Sequence, residues 1–193
     1  FYSGFFFRYI CNIMKRQRKI LSGQHMHLVI NRLCRELIEN HNNFEDTVLI
    51  GVQPRGALLG KRISRCIKDI LNLPSLKLGL LDISFFRDDF RRREDPIEPQ
   101  SIDVDFSIES KKVVLIDDVL YTGRSVRAAI EALMALGRPN KIELLILIDR
   151  KFSRDLPIQP NYVGSTINII DSEKVFVEWK EINGRDQVIM KKA

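Results

Sequence analysis

VVLIDDVLYTGRS, residues 113–125, decides how the chain folds. Val113 to Ile116 form an unbroken apolar, β-branched run, the pattern of a strand buried on both faces of a parallel sheet. Asp117 and Asp118 fall where that strand ends, so they face a crevice and not the core. Thr122, Gly123, Arg124 and Ser125 then open a helical pattern through Val126, Ala129, Ile130, Leu133 and Met134, which should stop near Gly137 with Pro139 just beyond. Paired carboxylates are hard oxygen donors suited to sugar hydroxyls or to Mg²⁺ through water. In the loop, glycine permits close backbone approach, amides and a helix start supply positive potential, and two hydroxyls donate hydrogen bonds. Together they describe a site for a ribose 5-phosphate. Alone, paired aspartates after a strand also suit phosphatases of the haloacid dehalogenase type and response regulators, and a Thr-Gly-Arg-Ser start also serves as a plain helix cap.

Working outward, Gln24 to Asn40 carry Leu28, Val29, Leu33, Leu37 and Ile38 at helical spacing. Thr47 to Val52 form a short apolar strand that runs into QPRG and a second helix marked by Leu58, Leu59, Ile63, Ile67, Ile70 and Leu71. Leu76 to Phe86 reads as a strand, followed by RDDFRRREDPIEPQ, a charged, proline-containing segment expected to be a flexible flap. IELLILI at 142–148 is a fully buried strand, and shorter ones are expected near Val163–Ile170 and Lys174–Glu178. Alternating strands and helices predict a doubly wound, mainly parallel α/β sheet flanked by helices, with ligands at the carboxyl ends of the strands. Residues 20–193 read as one domain and residues 1–19 as a tail.

The 193 residues suit a single domain with a sizeable core. The net charge of +6 is unevenly placed. Five basic residues and no acid fall within residues 1–24, leaving 26 basic against 25 acidic residues in the rest of the chain, so any nucleic-acid site must rest on a local patch. Cys11, Cys34 and Cys66 are odd in number and widely spaced, which favours a reducing cytoplasm over a disulfide framework. The aromatic N-terminus, FYSGFFFRYICNIMKRQRK, is broken by Arg8 and Asn12, too short for a spanning helix and not ordered like a secretory signal. It is expected to be a disordered tail or an upstream translation artefact ahead of Met14, with no membrane role.

VVLIDDVLYTGRS resembles the phosphoribosyl pyrophosphate (PRPP) signature of type I phosphoribosyltransferases. With GVQPRGALLGKRI, DISFFRDDF, DDVLYTGRSVRAAIEALMALGRP, and IDR followed by RDLPIQPNYVG, the chain resembles in order the bifunctional pyrimidine operon attenuation proteins and uracil phosphoribosyltransferases. That resemblance implies a type I phosphoribosyltransferase fold and the conversion of uracil and PRPP to UMP and pyrophosphate with Mg²⁺. It implies that Asp117 and Asp118 take the ribose hydroxyls and the metal, through water, and that Val119, Leu120, Tyr121, Thr122, Gly123, Arg124 and Ser125 hold the nucleotide. Pro54, Arg55 and Gly56 match the pyrophosphate loop, where a fixed guanidinium neutralises the leaving group. Arg87, Asp88 and Asp89 match the base of the flap, Arg87 joining Arg55, Asp117 and Asp118 in catalysis. Asp149, Arg150 and Val163 fall in the region that lines the base pocket.

The resemblance further implies UMP-promoted binding to pyrimidine operon mRNA. Arg32 and Arg35 with Lys151 and Arg154 are the candidate contacts, on a surface doubled in a homodimer or higher homo-oligomer. Two departures stand out: DRKFSRDLP carries an extra residue and no glycine after the Asp-Arg pair, and Pro54 replaces a common threonine. A transferase for another base such as a purine, and an RNA-binding regulator with vestigial transferase activity, are the alternatives.

Overall fold

A computed structural model describes residues 17–88, 103–168 and 173–192. In chain order the elements are β1 (Gln17–Ser22), α1 (Gly23–His41), β2 (Thr47–Val52), α2 (Arg55–Leu71), β3 (Leu78–Leu81), a 3-10 turn (Ser84–Phe86) and β4 (Lys112–Leu120). There follow α3 (Arg124–Leu136), β5 (Lys141–Lys151), β6 (Tyr162–Asn168), β7 (Glu173–Glu178), α4 (Lys180–Asn183) and β8 (Gln187–Lys192). They fall into two compact units, residues 28–168 and the two ends of the chain, up to 27 and from 169.

The larger unit is built on a five-stranded sheet in the order β3-β2-β4-β5-β6, every named pair parallel. From the β2–β4 pair the chain leaves to opposite edges, through α2 to β3 and through α3 to β5. Right-handed crossovers to opposite edges put the helices on opposite faces. Accordingly Val126, Ala129, Ala132 and Leu133 of α3 share a core with Val48, Ile50, Val52, Val113, Leu115, Leu144 and Ile146, alternate positions of three strands. Across the sheet the Cys34 thiol of α1 donates to the Ile63 carbonyl of α2 at 3.8 Å, so those two helices share the other face.

Three elements differ from expectation. The buried stripe of α1 is Met26, Ile30, Leu33, Cys34 and Leu37, while Leu28 is 63 % exposed. The i, i+4, i+7, i+8, i+11 spacing of that stripe leaves Leu28 on the far side of the wheel. The strand expected over Leu76–Phe86 is only β3, because the Asp82 carboxylate accepts from the amide and hydroxyl of Ser84 at 2.8 and 2.6 Å and turns the chain. β1 takes in Gln17 to Lys19, assigned above to the tail, and pairs them antiparallel with β8. With β7 they make the three-stranded antiparallel sheet of the smaller unit. Residues 1–16, most of the expected flap and the end of the strand expected over Val163–Ile170 lie outside the described residues. Among the described residues no helix is long and apolar enough to cross a membrane.

The end of the sheet remote from the strand mouths carries a buried polar cluster. His41 contacts Thr47 Oγ1 at 3.0 Å and Glu143 Oε2 at 2.9 Å, and the Tyr162 hydroxyl donates to Glu143 Oε2 at 3.0 Å. Burial holds the His41 pKa below the ordinary histidine value, outweighing the attraction of Glu143. The unfolded chain therefore takes up a proton that the folded one refuses, so this stabilisation is complete above about pH 6.5 and lost as pH falls. His41→Gln should lower stability by about 1–3 kcal/mol at pH 7.5, by leaving its partners unsatisfied. Thermal melts should show the gap to wild type narrowing towards pH 5, and a gap constant with pH would refute the neutral buried imidazole.

Candidate active site

The β2–β4 pair is the topological switch point of the sheet, where the strand ends part and leave a crevice. β2 delivers Gln53, Pro54 and Arg55 to it, with a cis Gln53–Pro54 peptide, and β4 delivers Asp117 and Asp118. Gly56 makes this approach possible. A Cβ there would lie 2.4 Å from the Ile116 carbonyl oxygen and 2.9 Å from Asp117 Cα, so any larger residue would push α2 off the end of β4.

Two cavities adjoin at these strand ends. One of about 230 Å³ is lined by Tyr121 to Ser125 together with Arg87, Asp88 and Asp117. The other, about 610 Å³, is lined by Gln53, Pro54, Arg55, Asp82, Ser84 and Asp118, among others. Arg87, Asp117, Val119 and Ser125 belong to the walls of both. Gly123, at φ +92°, caps α3 in a backbone conformation that side chains rarely adopt, turning the loop from strand to helix.

Charge is concentrated at the shared wall. Burial drives the Asp117 pKa well above the ordinary carboxylate value, and repulsion from Asp118 adds to it. Asp118 is pushed up to about 6, burial outweighing the opposing pull of the Arg55 cation and of backbone amides. Asp118 Oδ2 is buried with no hydrogen-bond partner among the described residues. A buried carboxylate oxygen without a donor is an unmet demand for a cation or hydroxyl. Among the described residues no cluster of three or more acidic, His or Cys ligands forms a closed metal cage. Two carboxylates fit an ion such as Mg²⁺, which keeps most of its waters and shares the rest with substrate phosphates.

Asp88, at the base of the flap, accepts from Arg124 Nη1 at 2.5 Å, and Asp155 accepts from Arg124 Nε at 3.1 Å. Asp89 lies outside the described residues. Asp82, Ser84 and Asp155 were not expected at the site. DISFF carried the first two, but nothing in its letters marks Asp82 as a wall residue. None of Asp149, Arg150 and Val163 is among the residues that line either cavity. Asp149 is held by Arg154. Arg150 is 5 % exposed and stacks its guanidinium 3.9 Å from the Tyr121 ring centroid. The Val163 carbonyl, with that of Gly164, accepts from Arg32 at 2.7 Å.

The four candidate RNA contacts are likewise dispersed. Arg32 is bonded at the start of β6, whereas Lys151 pairs with Asn168 at its end. Arg154 is half-buried and bonded to backbone, not presented to solvent. Arg35 and Lys151 are exposed.

The raised pKa values have a sign. The folded state holds protons on this pair that the unfolded chain has released, so the contribution to stability is present at low pH and lost as pH rises through about 6. Ionised Asp118 at neutral pH is thus a stored cost, on the order of 2–3 kcal/mol. Asp118→Asn should raise Tm by several degrees at pH 8, and by progressively less towards pH 5. A Tm lowered by the substitution at pH 8 would contradict it.

The phosphoribosyl transferase domain model matches residues 16–181. A bifunctional protein PyrR of Desulfosudis oleivorans is 41 % identical over 177 residues, covering 92 % of this chain and 97 % of that one. The PyrR of Caldicellulosiruptor bescii is 42 % identical, covering 92 % and 96 %. Among solved structures, a hypoxanthine phosphoribosyltransferase of Staphylococcus aureus superposes with a TM-score of 0.67 over 95 % of this chain and 96 % of that one, at 20 % identity. A ternary substrate complex of the Trypanosoma cruzi enzyme gives 0.70 over 92 % and 96 %, at 15 % identity. At such identities the structural likeness speaks for the fold alone.

Proposed function

The chain belongs to the phosphoribosyl transferase family and, within it, to the bifunctional PyrR proteins, and from that premise we propose that it converts uracil and PRPP to UMP and pyrophosphate. One observation carries the reading: the carboxylate pair, the Pro54–Gly56 loop and the Thr122–Ser125 loop meet around two cavities with a common wall. In this reading the smaller cavity takes the 5-phosphate and the larger one the pyrophosphate and the base.

In the reaction the bond from C1 of the ribose to the pyrophosphate oxygen breaks, a bond from a uracil ring nitrogen to C1 forms, and that nitrogen gives up its proton. Asp117 and Asp118 hold the ribose hydroxyls, fixing the ring while positive charge develops at C1. Arg55, on the rim of the larger cavity, neutralises the departing pyrophosphate and acts only as that charge appears. Arg87 lines both cavities and brings a second guanidinium to the side of the departing pyrophosphate. Asp118 Oδ2 and the neighbouring Asp117 carboxylate would hold Mg²⁺, largely through water. When bound, the ion supplies charge neutralisation to the pyrophosphate.

The likeness to hypoxanthine enzymes reflects fold, so the choice of uracil over a purine rests on the relatives at about 40 % identity. Completeness of the carboxylate pair and both loops favours an active enzyme over a vestigial one. The second role is UMP-responsive binding of pyrimidine operon mRNA, in a cytoplasmic homodimer or higher homo-oligomer, and Arg35 and Lys151 are the side chains disposed for it.

A coupled assay with uracil, PRPP and Mg²⁺ should show turnover, and Asp117→Asn with Asp118→Asn should cut it at least 100-fold in a folded protein. Turnover of hypoxanthine but not uracil would sink the choice of base. Arg35→Ala with Lys151→Ala should weaken UMP-dependent RNA binding severalfold and flatten its salt dependence while leaving uracil turnover intact. Unchanged RNA affinity in that variant would remove both residues from the interface.

A further inference from the structure

The side chain of Arg154 is 21 % exposed, and each of its three guanidinium nitrogens is bonded. Nε donates to the Ile158 carbonyl at 3.2 Å. Nη1 donates to the carbonyls of Tyr121 at 2.6 Å, Arg150 at 3.0 Å and Leu120 at 3.4 Å, and Nη2 to Asp149 Oδ1. Beside it the amides of Asp155 and Leu156 donate to the Thr122 carbonyl at 3.0 and 3.2 Å. The carbonyls of three successive residues, Leu120 at the end of β4 with Tyr121 and Thr122 of the loop, are therefore all drawn towards the segment that follows β5.

The carbonyl and N–H of a planar trans peptide point in opposite directions. Fixing those three carbonyls turns the N–H groups of Tyr121, Thr122 and Gly123 to the other side of the loop. That is the side of the smaller cavity, whose described lining includes all three residues and none from 149–158. Consecutive amides turned to one side make a concavity for an anion. Pre-setting them removes an ordering cost that the phosphate would otherwise have to overcome on binding.

We propose that Arg154 is a positioning residue for the phosphate loop: it orients the amides of Tyr121 to Gly123 towards the 5-phosphate without touching it. This rests on the reading of Thr122–Ser125 as the 5-phosphate site. The planar fork of arginine is essential to the role, because its bonds diverge from three nitrogens to acceptors on three chain segments. A lysine ammonium has three donors on a single atom and cannot span them. An RNA contact made through charge alone would tolerate lysine.

The test is calorimetric binding of ribose 5-phosphate to wild type, Arg154→Lys and Arg154→Met, well below each Tm, with KM for PRPP and for uracil measured in parallel. Both variants should bind ribose 5-phosphate at least tenfold more weakly and raise KM for PRPP, with KM for uracil within twofold of wild type. Arg154→Lys keeps the charge and the stem, and it decides the matter should the methionine variant fail to fold. Ribose 5-phosphate affinity in Arg154→Lys within twofold of wild type would overturn the proposal, as would an equal loss towards uracil. A wild type that binds ribose 5-phosphate but leaves uracil unreacted would sink the transferase reading and not this one. A wild type that does not bind the sugar phosphate sinks the proposal.

Discussion

Everything at the candidate site depends on how closely the start of α2 lies against the end of β4. The missing side chain of Gly56 lets the Pro54–Arg55 turn reach Ile116 and Asp117 at distances that no Cβ would allow. Parallel pairing of β2 with β4 fixes the level at which this happens, Gly51 opposite Ile116. Departure of the chain to opposite edges then leaves the crevice open. The consequence is electrostatic: Arg55 reaches the rim of a wall whose two carboxylates have been pushed into the protein. Burial makes their charge costly, and only a cation or hydroxyls from outside make it favourable. Stability is here exchanged for a wall that favours a cation or hydroxyl groups.

The two ends of the sheet show opposite treatments of buried polarity. At the remote end, His41, Thr47, Tyr162 and Glu143 satisfy one another, and burial keeps the imidazole neutral. At the strand mouths, Asp118 Oδ2 is left without a donor among the described residues. A satisfied cluster specifies packing, while an unsatisfied one specifies a ligand. Both kinds look alike in sequence, as isolated polar letters beside apolar runs.

That difference explains what was legible. β4 and β5 were readable because long apolar runs between helical patterns have one physical solution in an alternating chain. The turn at Thr122–Ser125 was readable because a glycine there ends an apolar strand and a helical apolar pattern follows at once. The face of α1 was misread because Leu28 is apolar but lies off the buried stripe, and letter type alone does not fix rotation about the axis. Asp149, Arg150 and Val163 were placed by their neighbourhood in the chain, and the contacts they make, Asp149 with Arg154, Arg150 with the Tyr121 ring and the Val163 carbonyl with Arg32, depend on register and side-chain direction that the letters do not carry.

The basic residues expected to contact RNA expose a more general point about reading charge. Arginine in a sequence suggests an anion, but a guanidinium is also the side chain best able to gather several carbonyls left where strands and loops end. Arg32 does this at the start of β6 and Arg154 does it around the phosphate loop. Lysine, with its donors on one atom and a larger hydration demand, is less suited to that use and stays in solvent, as Lys151 does. Chain position alone gave the same reading for all three, and the number and direction of carbonyl acceptors separate them. A patch inferred from basic letters is therefore best weighed by asking first how many backbone oxygens lie within its reach.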